Sequence, residues 1–147
     1  GQALLEPTRL YTRQLVQLLD EMPGAVHALS HVTGGGIAAN LARVLPRGAW
    51  VEIDRSTWSP QDVFRVLASW GDLSLEETEG TWNLGVGMLA VVAQEAASAV
   101  THALSAAGLP TWVAGRVTIG ERDLDGFVQG AKGVDGGAAR LVGAYAG

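Results

Sequence analysis

The chain has 147 residues, is 48% hydrophobic and 17% charged, and carries a net charge of −5 from 10 basic and 15 acidic side chains. That length suits one domain able to bury roughly two-thirds of its unfolded surface, and the apolar fraction excludes a disordered chain. One lysine, Lys132, and no basic cluster argue against nucleic acid and anionic membrane as partners. The absence of cysteine removes disulfides, thiolate catalysis and cysteine–zinc sites, and fits a cytoplasmic setting.

No apolar run reaches the ~18–20 residues of a membrane span. No secretory signal is visible, and the chain opens on Gly1-Gln2 rather than methionine, which reads as the internal start of something longer. Pro7 pushes Glu6 toward extended geometry, and Thr8 is placed to cap a helix over 9–21, with Leu10, Leu15, Leu18, Leu19 and Met22 on its apolar face. Pro23-Gly24 ends it. A strand over 25–29 follows, then His31-Val32-Thr33-Gly34-Gly35-Gly36, then a helix over 37–45. Residues 49–54 alternate as a strand. Ser59, Pro60 and Asp62 read as cap, first helical residue and first-turn acid of a helix whose buried face is Val63, Phe64, Val66, Leu67 and Trp70.

The acidic stretch 76–79 precedes a second glycine-bearing turn, Thr81-Trp82-Asn83-Leu84-Gly85-Val86-Gly87-Met88, that runs into the apolar segment 89–92. A helix over 94–107 ends at Gly108, the expected residue after a helix C-cap, with Pro110 preventing continuation. A strand is expected over 111–119. Beyond Gly120, Gly126, Gly130, Gly133, Gly136 and Gly137 suggest an irregular loop closing in a short strand over 138–142. Strands and helices alternate, which predicts an α/β fold: a layered mixed sheet with helices packed on it. The segments 86–92 and 111–119 are expected to pair, in either direction, because a helix joins them.

The strongest local chemistry is the turn Thr33, Gly34, Gly35, Gly36. Glycines between a strand and a helix start let backbone close on an anion, and the first helical N–H groups carry the positive end of the helix dipole. The pattern matches neither the dinucleotide fingerprint nor a Walker A loop. A tight turn that merely needs glycine accounts for it equally well. His31 stands at its lip, placed to bond a phosphate oxygen or move a proton, or simply to bond its own loop. Asn40 and Arg43 follow on the helix; Arg43 reaches a ligand only if the loop folds back, and is otherwise a solvated helix arginine. Asp54-Arg55 closes a strand, either at a ligand position or as a local Asp–Arg contact. Thr81, Asn83, Gly85 and Gly87 form a second candidate cradle, or a bulge. His27 reads as structural and His102 as surface. The histidines have no metal-ligand spacing, and Glu76, Glu77 and Glu79 read as a solvated face, so no metal site is expected.

Five stretches taken together resemble one family: 4–8, 31–36, 40–46, 53–58 and 81–88 occur in the order and at about the spacing of phosphoribosylformylglycinamidine cyclo-ligase, also called AIR synthetase. The resemblance runs over 4–119 and covers that family's C-terminal half; 1–120 would be its core and 121–147 a glycine-rich extension. It implies a bacterial, cytoplasmic, ATP-dependent enzyme of purine biosynthesis. The enzyme closes the ring of formylglycinamidine ribonucleotide, giving aminoimidazole ribonucleotide. A preceding N-terminal domain would dimerise and supply much of the ATP and magnesium site, so the partners implied are that domain, a second full-length copy, ATP and the phosphoribosyl substrate. Carried over, His31 would act in catalysis. Thr33, Gly34, Gly35 and Gly36 would hold phosphate, Asn40 and Arg43 would support them, and Asp54, Arg55, Thr81, Asn83 and Gly85 would line the cleft. The family's Tyr-Arg-Thr-Phe-Asn run is Glu79-Gly80-Thr81-Trp82-Asn83 here, so a charge contact at position 80 is lost. Two other readings stand beside this one: a related ATP-using enzyme (selenophosphate synthetase, thiamine-phosphate kinase or hydrogenase maturation type) and a non-catalytic phosphate-binding or subunit-contact domain.

Overall fold

A computed structural model describes residues 2–130 and 136–146. Lys132 and Gly133 lie outside the described residues. The regular elements in chain order are α1 (Thr12–Glu21), β1 (Val26–His31), α2 (Gly36–Ala42), β2 (Ala49–Asp54), α3 (Asp62–Trp70) and α4 (Leu75–Thr78). They are followed by β3 (Met88–Val92), α5 (Ala97–Ala106), β4 (Gly115–Ile119), β5 (Val128–Gln129) and β6 (Ala138–Val142). Short 3-10 turns cover Gln2–Leu5, Arg55–Thr57 and Gln94–Ala96. Among the described residues no helix is long and apolar enough to cross a membrane.

The α/β class is as expected, but the strands divide into two sheets. β1 and β3 form an antiparallel ribbon, and the second sheet has the order β4-β2-β6-β5, mixed because β2 runs parallel to β6 and antiparallel to β4. The expected pairing of 86–92 with 111–119 does not occur. Instead an apolar cleft of about 1010 Å³ lies between them, lined by Leu89 and Val91 on one side and Ala114 and Val117 on the other. The run over 88–92 is apolar on both faces, so its side-chain pattern selects no partner. The partner is set by backbone: Val32 N–H donates to the Gly87 carbonyl at 3.0 Å, which registers His31 opposite Met88.

Each sheet has its own core. Leu15 and Leu18 of α1 pack with Val100 and Leu104 of α5 and with Leu109, against Leu29, Met88 and Val92 of the ribbon. Ile37, Leu41 and Ala42 of α2 pack on Val51 and Ile53 of β2 and Ala139 of β6, with Trp58 and Val86 completing that cluster. β2 shows the expected alternation, with Ala49, Val51 and Ile53 buried and the residues between them half-buried. The strand over 138–142 is also as expected, and it lies beside β2 in the sheet.

Several boundaries differ. α1 begins at Thr12, not Arg9, and Thr8 caps nothing; Tyr11 holds the cap position without a side-chain bond. Tyr11 is committed elsewhere, its hydroxyl packed on Gly87 and its ring edge-on to His31. Leu10, expected on the buried face, is 83% exposed. α3 begins at Asp62, with Gln61 rather than Ser59 before it, because the Ser59 hydroxyl accepts from Arg65 Nη2 at 3.3 Å. Trp70 and Val66 of its expected apolar face are exposed, and Ala68 is buried instead. β4 is shorter than expected: Trp112 Nε1 donates to Thr57 Oγ1 at 3.2 Å, which ties the segment before it into coil. His27 is exposed on β1, and His102 is exposed on α5 as expected.

Candidate functional site

The turn 33–36 is closed by Gly36 N–H donating to the Thr33 carbonyl at 3.2 Å. Gly35 has φ +100° and ψ −4°, the geometry of the third residue of a type II turn, which L side chains rarely adopt. Gly36 follows with φ +73°, and a Cβ there would fall inside the Glu79 carbonyl group. Gly34 is under no such constraint: a Cβ there meets nothing within 4 Å. Two of the three glycines are therefore dictated by backbone geometry, and the turn is seated directly against the chain at Glu79.

Asn40 is buried below this turn. Its Nδ2 donates to the Gly36 carbonyl at 2.7 Å and stands 3.4 Å from the Thr33 carbonyl and 3.5 Å from that of Gly34. Its own carbonyl accepts from buried Ser30 Oγ at 2.8 Å. Asn40 thus fastens the turn to α2. Its Oδ1 accepts from Arg43 Nη1 at 3.3 Å, and Arg43 Nη2 lies 3.7 Å from where a Cβ on Gly35 would stand. The reading of Arg43 as a solvated helix arginine is therefore corrected: it sits half-buried at the end of α2 and reaches back over the turn. Thr33, Gly34 and His31 are exposed beside it, and His31 meets the Tyr11 ring edge-on at 6.3 Å.

The second segment abuts the first. Thr81 and Trp82 N–H groups both donate to the Thr78 carbonyl at 2.9 Å. Leu84 and Gly85 have φ +47° and +88°, a turn closed by Val86 N–H on the Asn83 carbonyl at 2.9 Å. Asn83 Oδ1 accepts from Gly85 N–H at 3.1 Å, so its acceptor is engaged in its own turn. The Leu84 carbonyl accepts from the buried Trp58 Nε1 at 3.2 Å. Thr81 is exposed beside them.

Asp54 and Arg55 part company. Asp54 Oδ1 accepts from Ser56 N–H at 2.9 Å, and these bonds to Ser56 hold its carboxyl below the ordinary value. The expected Asp54–Arg55 contact is not formed among the described residues. Arg55 instead grips Glu79 in a two-pronged pair, Nε to Oε1 at 2.6 Å and Nη2 to Oε2 at 2.9 Å, and donates from Nη1 to the Gly143 carbonyl at 3.0 Å. Glu79 is therefore not part of a solvated acidic face: its side chain is 16% exposed and also accepts from the Tyr145 hydroxyl. Tyr145 stacks edge-on to Trp58 at 5.3 Å. Burial, with the bond to Glu79, pushes the Tyr145 hydroxyl far above its ordinary pKa. The bond to Glu79 also raises that of Arg55. Tyr11 and Tyr145 are not singled out by the sequence, and Glu79 reads there only as part of a solvated acidic face. Their partners lie 66 residues apart for Glu79–Tyr145 and 24 apart for Glu79–Arg55, and no local pattern signals such pairs.

Over residues 1–124 the sequence matches the family model described as AIR synthase related protein, C-terminal domain. The chain belongs to this family. A Streptomyces fradiae protein carrying a provisional name as a phosphoribosylformylglycinamidine cyclo-ligase is 42% identical over 146 residues, 99% of this chain and 74% of that protein. Proteins named phosphoribosylformylglycinamidine cyclo-ligase from Sorangium cellulosum and an Anaeromyxobacter species are 44% identical over 117 residues and 39% over 120; the chain spans 34% of each. The similarity to the Streptomyces protein extends into the closing stretch, which holds β5, β6 and Tyr145.

Proposed function

We propose that this chain is the C-terminal part of a phosphoribosylformylglycinamidine cyclo-ligase, contributing to the ATP-dependent ring closure of formylglycinamidine ribonucleotide to aminoimidazole ribonucleotide in the cytoplasm. In this reading the turn at Thr33, Gly34 and Gly35 holds a phosphate group of the substrate or of ATP, with Arg43 supplying the positive charge. The observation that carries it is the Arg43 guanidinium poised over a turn whose exposed residues have room for a ligand, while Asn40 fixes the turn from below. Planar guanidinium donors and backbone N–H groups are the groups that bind phosphate oxygens best. His31 and Thr33 would face the same ligand. Asn40 and Asn83 support turns rather than touch substrate, and Arg55 acts through Glu79.

ATP would supply the phosphoryl group that activates the amide oxygen for attack by the internal nitrogen. Phosphate would leave with that oxygen as the ring closes, and the contribution of this chain is to hold and orient anions so that the internal nitrogen is aligned on the activated carbon and the charge on the departing phosphate is stabilised. Magnesium finds no ready site: among the described residues there is no group of three or more acidic or histidine side chains able to hold a metal ion. An upstream domain and a second full-length copy would complete the cleft.

The test is ring closure by the full-length protein that contains these residues, measured with ATP. Wild type is expected to turn over formylglycinamidine ribonucleotide, the chain of 147 residues alone is not, and Gly35→Asp in the full-length protein is expected to abolish turnover. Wild-type-like cyclisation by Gly35→Asp would remove the phosphate role of the turn. Turnover of a selenium or thiamine-phosphate substrate instead would move the protein to a related ATP-using enzyme.

A further inference from the structure

Outside the turn, Arg55, Glu79 and Tyr145 form a connected, mostly buried polar cluster. It joins three parts of the chain that are remote in sequence: the end of β2, the segment leading into the second turn, and the segment 143–146 after β6. Arg55 reaches both Glu79 and the Gly143 carbonyl, Tyr145 reaches Glu79, and Arg65 Nη2 donates to the Ala146 carbonyl at 2.9 Å. The closing segment is thereby fastened at three points. The other end of the linkage is Glu79 itself, whose main-chain carbonyl occupies the space a Cβ would take on Gly36. So the same residue that anchors the closing segment through its side chain braces the turn through its backbone. Mostly buried charges persist only where partners satisfy them, and this carboxylate has an arginine on both oxygens and a phenol on one.

We propose that Arg55, Glu79 and Tyr145 form the positioning device of the phosphate turn: the closing segment, acting through Glu79, sets the position of Gly36 and so of the Thr33, Gly34 and Gly35 groups that meet the anion. The inference rests on the phosphate reading of the turn. It makes Tyr145 and Glu79 positioning residues, far in sequence from the group they hold in place.

The test uses the full-length protein, with inorganic phosphate as the probe followed by the amide signals of Gly34, Gly35 and Gly36, and with KM and kcat for formylglycinamidine ribonucleotide. Tyr145→Phe keeps the ring packed on Trp58 and removes only the bond to Glu79; Glu79→Gln keeps the shape and removes the charge. Both are expected to weaken phosphate binding and raise KM about tenfold, equivalent to about 1.4 kcal/mol, with kcat within about twofold of wild type well below the melting temperature. Arg43→Met serves as the reference for the turn. Weakened binding in Arg43→Met but wild-type binding in Tyr145→Phe overturns the positioning proposal alone. Phosphate that moves none of the three glycine signals in wild type overturns the phosphate reading, and this proposal with it. If Glu79→Gln does not fold, Tyr145→Phe decides.

Discussion

The two glycine turns look alike in sequence and differ in what surrounds them. In the first, Gly35 and Gly36 have positive φ, Gly36 is jammed against main chain, and a buried asparagine and a half-buried arginine converge on the turn. In the second, a leucine shares the positive φ with Gly85, and the nearest obstacle to a Cβ on Gly85 is the flexible end of Gln61. Its asparagine is engaged within its own turn. The first turn is held from below so that its upper side stays open; the second is a brace in which Asn83 Oδ1 and the Leu84 carbonyl are already engaged. Glycine content marks both, but only the placement of Asn40 and Arg43 makes one of them a candidate anion site.

The comparison can be broken most sharply at the glycines themselves. Gly36→Ala drives a Cβ into the Glu79 carbonyl at φ +73°, and is expected to cost at least about 3 kcal/mol, seen as a lowered urea midpoint. Gly85→Ala needs the flexible end of Gln61 to swing away and places an alanine at φ +88°, and is expected to cost about 1–2 kcal/mol. Equal losses at the two positions would refute the distinction between a clamped and a loose turn.

The asparagines sharpen it next. Asn40→Ala removes the buried side-chain donor that ties the Gly36 carbonyl and the turn to α2 and is expected to cost about 2 kcal/mol, against about 1 kcal/mol or less for Asn83→Ala. The readout is again denaturant unfolding of both variants in parallel.

The smallest effects are in pH. The Tyr145 hydroxyl is raised above its ordinary value of 10.0. A group whose pKa is raised on folding contributes stability that is present below the unfolded value and lost as pH climbs above it. Wild type should therefore lose stability above about pH 10 more steeply than Tyr145→Phe, as followed by thermal melts across the alkaline range. Asp54, Glu52 and Glu77 are lowered, mainly by bonds to Ser56, Arg140 and Ser74 respectively. Their contribution is present above the ordinary carboxylate range and lost as pH falls through the lowered values. Acid unfolding should be less steep in Glu77→Gln, which keeps an acceptor for the Ser74 N–H at the start of α4 but no longer titrates.

Much of the molecule is legible one segment at a time. The alternation of 49–54, the stop at Gly108 and the closing strand were each readable because they are set by local dihedral preferences and by side-chain periodicity. Tertiary competition shifted the starts of α1 and α3, where Tyr11 and Ser59 are drawn to partners outside their helices. The site divides in the same way. Gly35, Gly36, Asn40 and Arg43 lie within one strand–turn–helix, and their nearness follows from helical geometry. Glu79, Arg55 and Tyr145 do not, since their meeting depends on how β2, the second turn and the segment after β6 are brought together.

By itself, then, the sequence determined the local elements and the glycine turn that links β1 to α2, because those are governed by interactions within a few residues. Only the tertiary structure decided that β3 pairs with β1 across a cleft from β4. It also decided that a carboxylate in an acidic run is the buried partner of an arginine and a tyrosine. Those outcomes are set by contacts between segments far apart in the chain, where a two-sided apolar strand or a lone charge has many equivalent partners until packing selects one.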